Sequence, residues 1–455
     1  MTMTSGEHLV DNTSRTHLLL AHLELVGSLA DASIWLGSRR LHIELGKDAC
    51  LDGSAQAATM TAANLAVRAS LSVTASIPNA SARIVFGPCR GAFLADTLVE
   101  LGVSLSAERD AAFVLAIGDV SAELDNDGPL LQITWDGWVA GLRPAGVRMP
   151  EREGCVLAPI AAGALGVAEA FHHFLGHLDA GWRTVSISLW DPLAARPEEA
   201  TGPSLSHLPS EWMLVGLGHL GQAYSWCLGY LPYNDGQGTV WLVDDDHASA
   251  ANVSTGVVTR PSDANPTPHL KTRLVCRWLE RVGFNTRLLE WRLPDSYRWQ
   301  PGDPGVALIG VDNFRFRRSL STKSWPLCID AGLGSTASSF ASMSLHAFPG
   351  EAHSSEVVAW SEGIATNSAT PPALAVLEGT TTDQCGVVML AGQAVAAAFV
   401  GTIAACFAVA EPLRRIADGP SLDALTLSLD LPLPRAAPAP VKRPLRVAIV
   451  PAAKT

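Results

Sequence analysis

Among its eight cysteines the 455-residue chain has no Cys-x-x-Cys pair. Scattered singly at 50, 89, 155, 227, 276, 328, 385 and 406, they suggest neither a zinc knuckle nor a disulfide framework, and fit reduced thiols in a cytoplasmic protein. A surplus of cations is lacking too. The balance of 32 Lys+Arg against 44 Asp+Glu gives a formal net charge of −12, and no basic stripe is present, which argues against a nucleic-acid or anionic-membrane partner. The opening residues, MTMTSGEHLVDNTSRTHLLL, lack a basic region followed by a continuous apolar core, so no secretory signal is expected. Long apolar runs are nearly absent. The exception, GVVMLAGQAVAAAFVGTIAACFAVA (386–410), is long enough in principle to cross a bilayer. It is Ala- and Gly-heavy, carries Gln393 and has no companion of similar length, so a buried helix is the expected reading.

What is present is an α/β pattern. The length leads us to expect two domains of about 200 residues each. Apolar strands such as EWMLVGLG, GTVWLVDDD, GVALIGVDN and WPLCIDAG alternate with helical stretches such as LKTRLVCRWLERVG, which signals a mainly parallel sheet wrapped by helices. A Pro-, Ser- and Glu-rich stretch without periodicity marks a linker, placing a first domain at 1–195, the linker at 196–211, a second domain at 212–418 and a C-terminal extension at 419–455. Four blocks recur in order: 83–98 over 213–228, 113–119 over 306–312, 130–139 over 326–335, and 155–171 over 385–401. They imply a duplicated domain.

The chemistry concentrates in the second half. VGLGHLG places Gly216, Gly218 and Gly221 after an apolar strand and before a helix, where backbone N–H groups and a helix N-terminus can approach a phosphate. The next strand ends at Asp244, positioned to accept hydrogen bonds from ribose hydroxyls. Together these point to an adenine nucleotide. An NAD(P)-dependent oxidoreductase would need only these residues, whereas ATP needs cations for its phosphates and a carboxylate for magnesium. Asn252, Arg260, Lys271 and Asp312 follow in that order, Asp312 at the end of an apolar strand.

The set VGLGHLG…VDDDHASAAN…K…VDN…DAG…CGVVMLAG resembles the ThiF/MoeB-type adenylating fold shared with ubiquitin-activating enzymes, over about residues 205–418. The resemblance implies two tandem Rossmann-like adenylation domains and ATP with Mg2+ as cofactors. It implies nucleotide contacts from Gly216, Gly218, Gly221, Asp244, Asn252 and Lys271, with Asp312 on the metal. It also implies attack of a C-terminal carboxylate on the α-phosphate of ATP. The family's phosphate-contacting arginine would stand where this chain has Thr255, which leaves Arg260 as the substitute. The family's crossover loop would span about 350–385 and end on Cys385, the expected thioester cysteine ahead of Cys328 and Cys406.

In the first half, RIVFGPCRGAFLADTLVELGV (83–103) looks like the same strand, turn and helix, with Gly87 and Gly91 but none of the nucleotide residues. The resemblance makes this half an inactive twin packed on the active half as an intramolecular pseudo-dimer; a partner-half arginine can reach across in that family, and Arg39 and Arg40 are the candidates, although a solvated helix end or loop is the expected reading for them. The implied function is ATP-dependent activation of a ubiquitin-like (β-grasp) protein for a conjugating enzyme. The alternatives are an NAD(P)-binding oxidoreductase, an adenylating enzyme of a sulfur-carrier pathway, and a non-catalytic scaffold.

Overall fold

Two sheets with one strand order organise the chain. The computed structural model describes residues 12–121, 128–334, 336–360, 371–374 and 395–453. The first sheet contains β1 (Arg40–Leu45), β2 (Ser72–Ser76), β3 (Ser104–Leu105), β4 (Phe113–Ile117), β5 (Leu130–Asp136), β6 (Val139–Pro144) and β7 (Val185–Ser188), ordered β3-β2-β1-β4-β5-β6-β7. The chain continues through β8 (His207–Pro209), β9 (Glu211–Val215), β10 (Thr239–Val243), β11 (Asn285–Leu289) and β12 (Val306–Ile309). It then adds β13 (Leu327–Leu333), β14 (Ser342–Phe348), β15 (Leu422–Ser428), β16 (Arg435–Pro438) and β17 (Ile449–Pro451). The second sheet runs β11-β10-β9-β12-β13-β14-β15-β16. In each, five parallel strands open the order and antiparallel strands close it. The central strands β4 (FVLAI) and β12 (VALI) are buried throughout, the pattern of parallel strands covered on both faces.

The helices that matter here are α1 (Arg15–His22), α2 (Gly53–Arg68), α3 (Leu157–Phe174), α4 (His219–Leu228), α5 (Asn252–Thr255), α6 (Lys271–Glu280), α7 (Phe314–Arg318) and α8 (Ala398–Ile416). Asp52 starts α2, its side chain accepting the Ala55 N–H at 2.6 Å. α2 packs on α3, and α8 packs on both α3 and α4, so helices of the two halves meet. Their Ala- and Gly-rich sequences permit this closeness: a Cβ at Gly163 of α3 would lie 2.5 Å from the Ala58 carbonyl of α2. One apolar core runs from Leu18 to Leu429 through both halves.

Buried polar groups pin the seam. Asn64 Nδ2 donates to Val257 O at 2.9 Å, Arg68 to Val253 O at 2.6 Å, and Trp226 Nε1 to Thr61 Oγ1 at 3.0 Å. At the end of α8, Glu411 is fully buried and accepts from Arg414, from Arg415 Nε at 2.7 Å and from Leu422 N at 3.1 Å. Arg414 in turn reaches Leu189 O of the first half at 2.6 Å.

Three expectations need correction. Topology pairs β9 with β1, not with residues 83–98: that stretch is a loop bearing an isolated Arg83–Phe93 bridge, followed by a helix at Leu94–Leu101 that lies between β2 and β3. The blocks 113–119 and 130–139 do match β4 with β12 and β5 with β13. The fourth is out of register, because the counterpart of α3 is α8 at 398–416. The tail beyond 419 is no appendage. It supplies β15 and β16 to the second sheet, and β17 pairs with β8 inside the expected linker. Among the described residues, no helix is long and apolar enough to cross a membrane, and 398–410 of the apolar run lie buried in α8.

Candidate functional site

The sheet grows one way from β9 to β10 and β11 and the other way from β12 to β13, and at such a switch point in strand order the loops leaving the carboxyl ends diverge to form a crevice. Three glycines shape it. Gly216 has φ +84°, and a Cβ there would lie 2.9 Å from Gly310 of the loop after β12. A Cβ at Gly221 would overlap the Gly216 carbonyl, and one at Gly310 would lie 2.9 Å from Gly221 N. These positions are glycine because helix and strand ends touch. Gly218 differs: a side chain there would meet nothing within 4 Å, so this backbone faces open space at the start of α4, which takes no side-chain cap. Its free N–H groups and the helix dipole suit an anion.

Asp244 follows β10 and accepts from Leu217 N at 2.5 Å and from Asp246 N at 2.8 Å, so it clamps the glycine turn while lying at its edge. Burial pushes its carboxyl up, and nearby Lys271 pulls it back. Lys271 opens α6, only 9% exposed, with Nζ 3.1 Å from Asp246 Oδ2 and its backbone N–H on the Asp246 carbonyl at 3.0 Å. The lysine is thereby held beside Asp244. Asn252 opens α5, and its Oδ1 accepts from Ser249 N at 3.0 Å. The loop carrying it is tied to the lysine's approach by Ala248 N on His269 O at 2.8 Å. Asp312 is exposed in the loop between β12 and α7, one residue beyond Val311, which abuts Gly216. Asn313 caps α7, accepting from Phe316 N at 3.0 Å, and leaves Asp312 at the mouth. Strand order thus brings the glycine turn and Asp244, with Lys271 near it, to one end of the sheet, where the loop bearing Asp312 also leaves; Asn252 is on the adjoining loop.

The corresponding turn of the first half carries a carboxylate. After β1 comes Gly46-Lys47-Asp48, and Asp48 Oδ1 accepts from Asp119 N, beyond β4, at 2.8 Å. Its other oxygen takes Arg148 Nη1 at 2.8 Å. A Cβ at Gly46 or Gly118 would lie 2.5 Å from the Asp48 carboxylate. A carboxylate thus stands where the second half leaves space for a phosphate, and like charges repel.

Over 394 residues the sequence is 33% identical to the bacterial E1-like protein BilD of Collimonas sp. (strain OK412), covering 84% of each chain. Residues 40–189 match the BilD N-terminal domain and 208–419 the BilD C-terminal domain. The chain belongs to the BilD family. Among solved structures, E. coli MccB with MccA-N7isoASN has a TM-score of 0.34 at 12% identity, over 50% of this BilD-family chain and 64% of MccB. E. coli MccB with ATP scores 0.33 at 11% identity, over 50% and 64%. PaaA scores 0.27 at 12%, also over 50% and 64%. The chain thus spans just under two thirds of the length of these solved relatives.

Other BilD-family residues singled out in the sequence lie elsewhere. Arg260 is exposed, 4.0 Å from Glu100 of the first half, and lines a groove of 750 Å³ between the halves with Arg68, Arg277 and Arg281. Its backbone N–H is bound to Asp263, so the loop aims the guanidinium at that groove. Cys385 lies outside the described residues. Cys328 and Cys406 are buried and their thiols pushed well up by burial, the latter 3.7 Å from Cys227 Sγ, so neither is a ready thiolate. Arg39 stacks on Trp35 and Arg40 pairs with Asp110 at 2.6 Å, both where β1 begins, at the sheet edge away from the crevice. First-half arginines that do meet the second half near this site include Arg68, on the Val253 carbonyl, and Arg15, whose backbone N–H donates to Ser254 Oγ of α5 at 3.2 Å. The only signal of Arg15 in the sequence is the N-cap pattern of Ser14 before RTHLLL.

His219, in the first turn of α4, wedges its ring against Gly401 of α8, and burial holds its imidazole down at about 4. His346 is likewise held at about 4. Unfolded, both titrate near 6.5. As pH falls through 6.5 toward 4, the unfolded chain takes up these protons before the folded one, so stability drops across that window. The urea midpoint is expected to fall between pH 7 and 5, and His219→Gln should flatten that dependence, both read by tryptophan fluorescence.

Proposed function

We propose that this chain uses ATP to activate the C-terminal carboxylate of a ubiquitin-like protein. The observation that carries the reading is the single crevice joining an open Gly218 backbone, a lysine held beside Asp244, and an exposed Asp312. The curated relative's description as E1-like supports it. The donor set fits Mg-ATP: N–H groups of the glycine turn and Lys271 for phosphates, Asp244 for ribose, and Asp312 for magnesium, which would neutralise charge on the phosphates. In the reaction a substrate carboxylate oxygen bonds to the α-phosphorus and pyrophosphate leaves, giving an acyl-adenylate. Lys271 and the α4 N-terminus stabilise negative charge developing on the phosphoryl oxygens.

On this reading the first half, with the Asp48 carboxylate at its turn, binds no nucleotide and serves as the packing partner of a pseudo-dimer, with Arg15 and Arg68 at the crossing point. Pyrophosphate exchange with ATP, Mg2+ and a candidate β-grasp protein tests the proposal. Exchange dependent on that protein is expected. Absence of exchange together with NADH binding that quenches tryptophan emission would establish the oxidoreductase reading instead.

Cys385 is proposed to take the acyl group from the adenylate and to pass it to a conjugating enzyme. Cys385→Ala should keep pyrophosphate exchange within about twofold while removing the reducible adduct seen on non-reducing gels. An adduct that survives reassigns the thiol; an adenylate with no adduct in the parent chain favours the sulfur-carrier role.

A further inference from the structure

Two histidines and a carboxylate converge where α3 of the first half meets the end of β15, on residues that the adenylation reading does not use. His172, in the last turn of α3, is fully buried, and neither ring nitrogen has a hydrogen-bond partner. Such a group loses its hydration without compensation, which native interiors rarely tolerate. Its Nε2 lies 3.2 Å from Asp430 Oδ1, within ion-pair reach, while Nδ1 has nothing opposite it. The exposed His177 stacks obliquely on it with ring centroids 4.9 Å apart. One ligand atom from each of His172, His177 and Asp430 lies within 4.8 Å of the others.

The spacing suits an ion. Zinc takes imidazole nitrogens and carboxylate oxygens at about 2.0–2.1 Å in tetrahedral array, which sets neighbouring ligand atoms about 3.3 Å apart. The His172–Asp430 separation already has that value. Asp430 is oriented as outer partners orient a zinc-bound carboxylate. Ser428 Oγ donates to Asp430 Oδ2 at 2.9 Å, and Arg183 Nη1 holds the Asp430 carbonyl at 2.6 Å. Arg183's own charge is taken by buried Glu169 and by Asp179, which limits its repulsion of a nearby cation. Phe340 covers the His172 ring at 5.6 Å.

We propose that His172, His177 and Asp430 form a Zn2+ site, with water at the fourth position, that staples α3 of the first half to the end of β15 in the second. The competing account is a protonated His172 paired with Asp430, which needs no metal. The full-length chain, stripped with chelator, is titrated with Zn2+ against a chromophoric competitor, and with Co2+ by visible spectroscopy. One equivalent of Zn2+ should bind, Co2+ should give tetrahedral d–d bands without a thiolate charge-transfer band, and Zn2+ should raise the melting midpoint. His177→Ala and Asp430→Asn replace exposed or partly exposed groups; each should weaken zinc binding by at least about 100-fold and abolish the shift in midpoint. The site is refuted by absence of stoichiometric binding, by a thiolate charge-transfer band, or by binding that survives both variants.

Discussion

Asp312→Ala is expected to lower pyrophosphate exchange by at least about 100-fold at saturating ATP, while urea stability changes by less than about 0.5 kcal/mol. The two readouts separate because Asp312 is exposed, in a loop whose helix is capped by the next residue, Asn313. Added magnesium should recover part of the rate if the lost group holds the metal. Lys271→Ala should impair exchange as severely, but with a measurable cost in stability, since Lys271 is nearly buried and paired with Asp246. An Asp312→Ala protein with wild-type exchange would remove this carboxylate from the reaction and with it the metal assignment.

Glu411→Ala should cost about 3–5 kcal/mol of stability, the largest effect expected of any single replacement outside the crevice. Glu411 is fully buried and balances Arg414 and Arg415, themselves 0% and 5% exposed. Removing the carboxylate leaves two guanidinium groups without their counter-charge and the Leu422 N–H without its acceptor. Because Arg414 also holds Leu189 of the first half, both halves should unfold together, with a lower urea midpoint in a single transition. A loss below about 1 kcal/mol, or two separated transitions, would show that the seam does not depend on this cluster.

The second half was readable because its signals are local. A strand, three glycines at close spacing and an acidic strand end lie within thirty-odd residues, and the sheet places them together as that pattern requires. Arg260 misled because the direction its side chain takes depends on a partner far away in the sequence, here Glu100 of the first half. The first half was misread for a related reason. Gly87 and Gly91 imitate a nucleotide turn, yet Gly87 has φ +88° because it lies against Tyr230 of the second half, where a Cβ would come within 2.7 Å of the ring. The true counterpart, Gly46-Lys47-Asp48, lacks the spaced glycines, and what identifies it is strand order. Nor could the tail's place in the second sheet be read locally, since β15 must cross the whole of α8 to find β14.

The continuous core has a consequence for synthesis. α3 is complete at residue 174, but the apolar face it shares with α8 stays uncovered until residues 398–416 leave the ribosome. At about 5–20 residues per second the intervening chain takes roughly 10–45 s to make. For that time an Ala- and Gly-rich helical face stands open to water and to other nascent copies of itself. Slowing translation between the halves should therefore raise the aggregated fraction, and supplying the second half in trans should rescue a first half that is stranded alone.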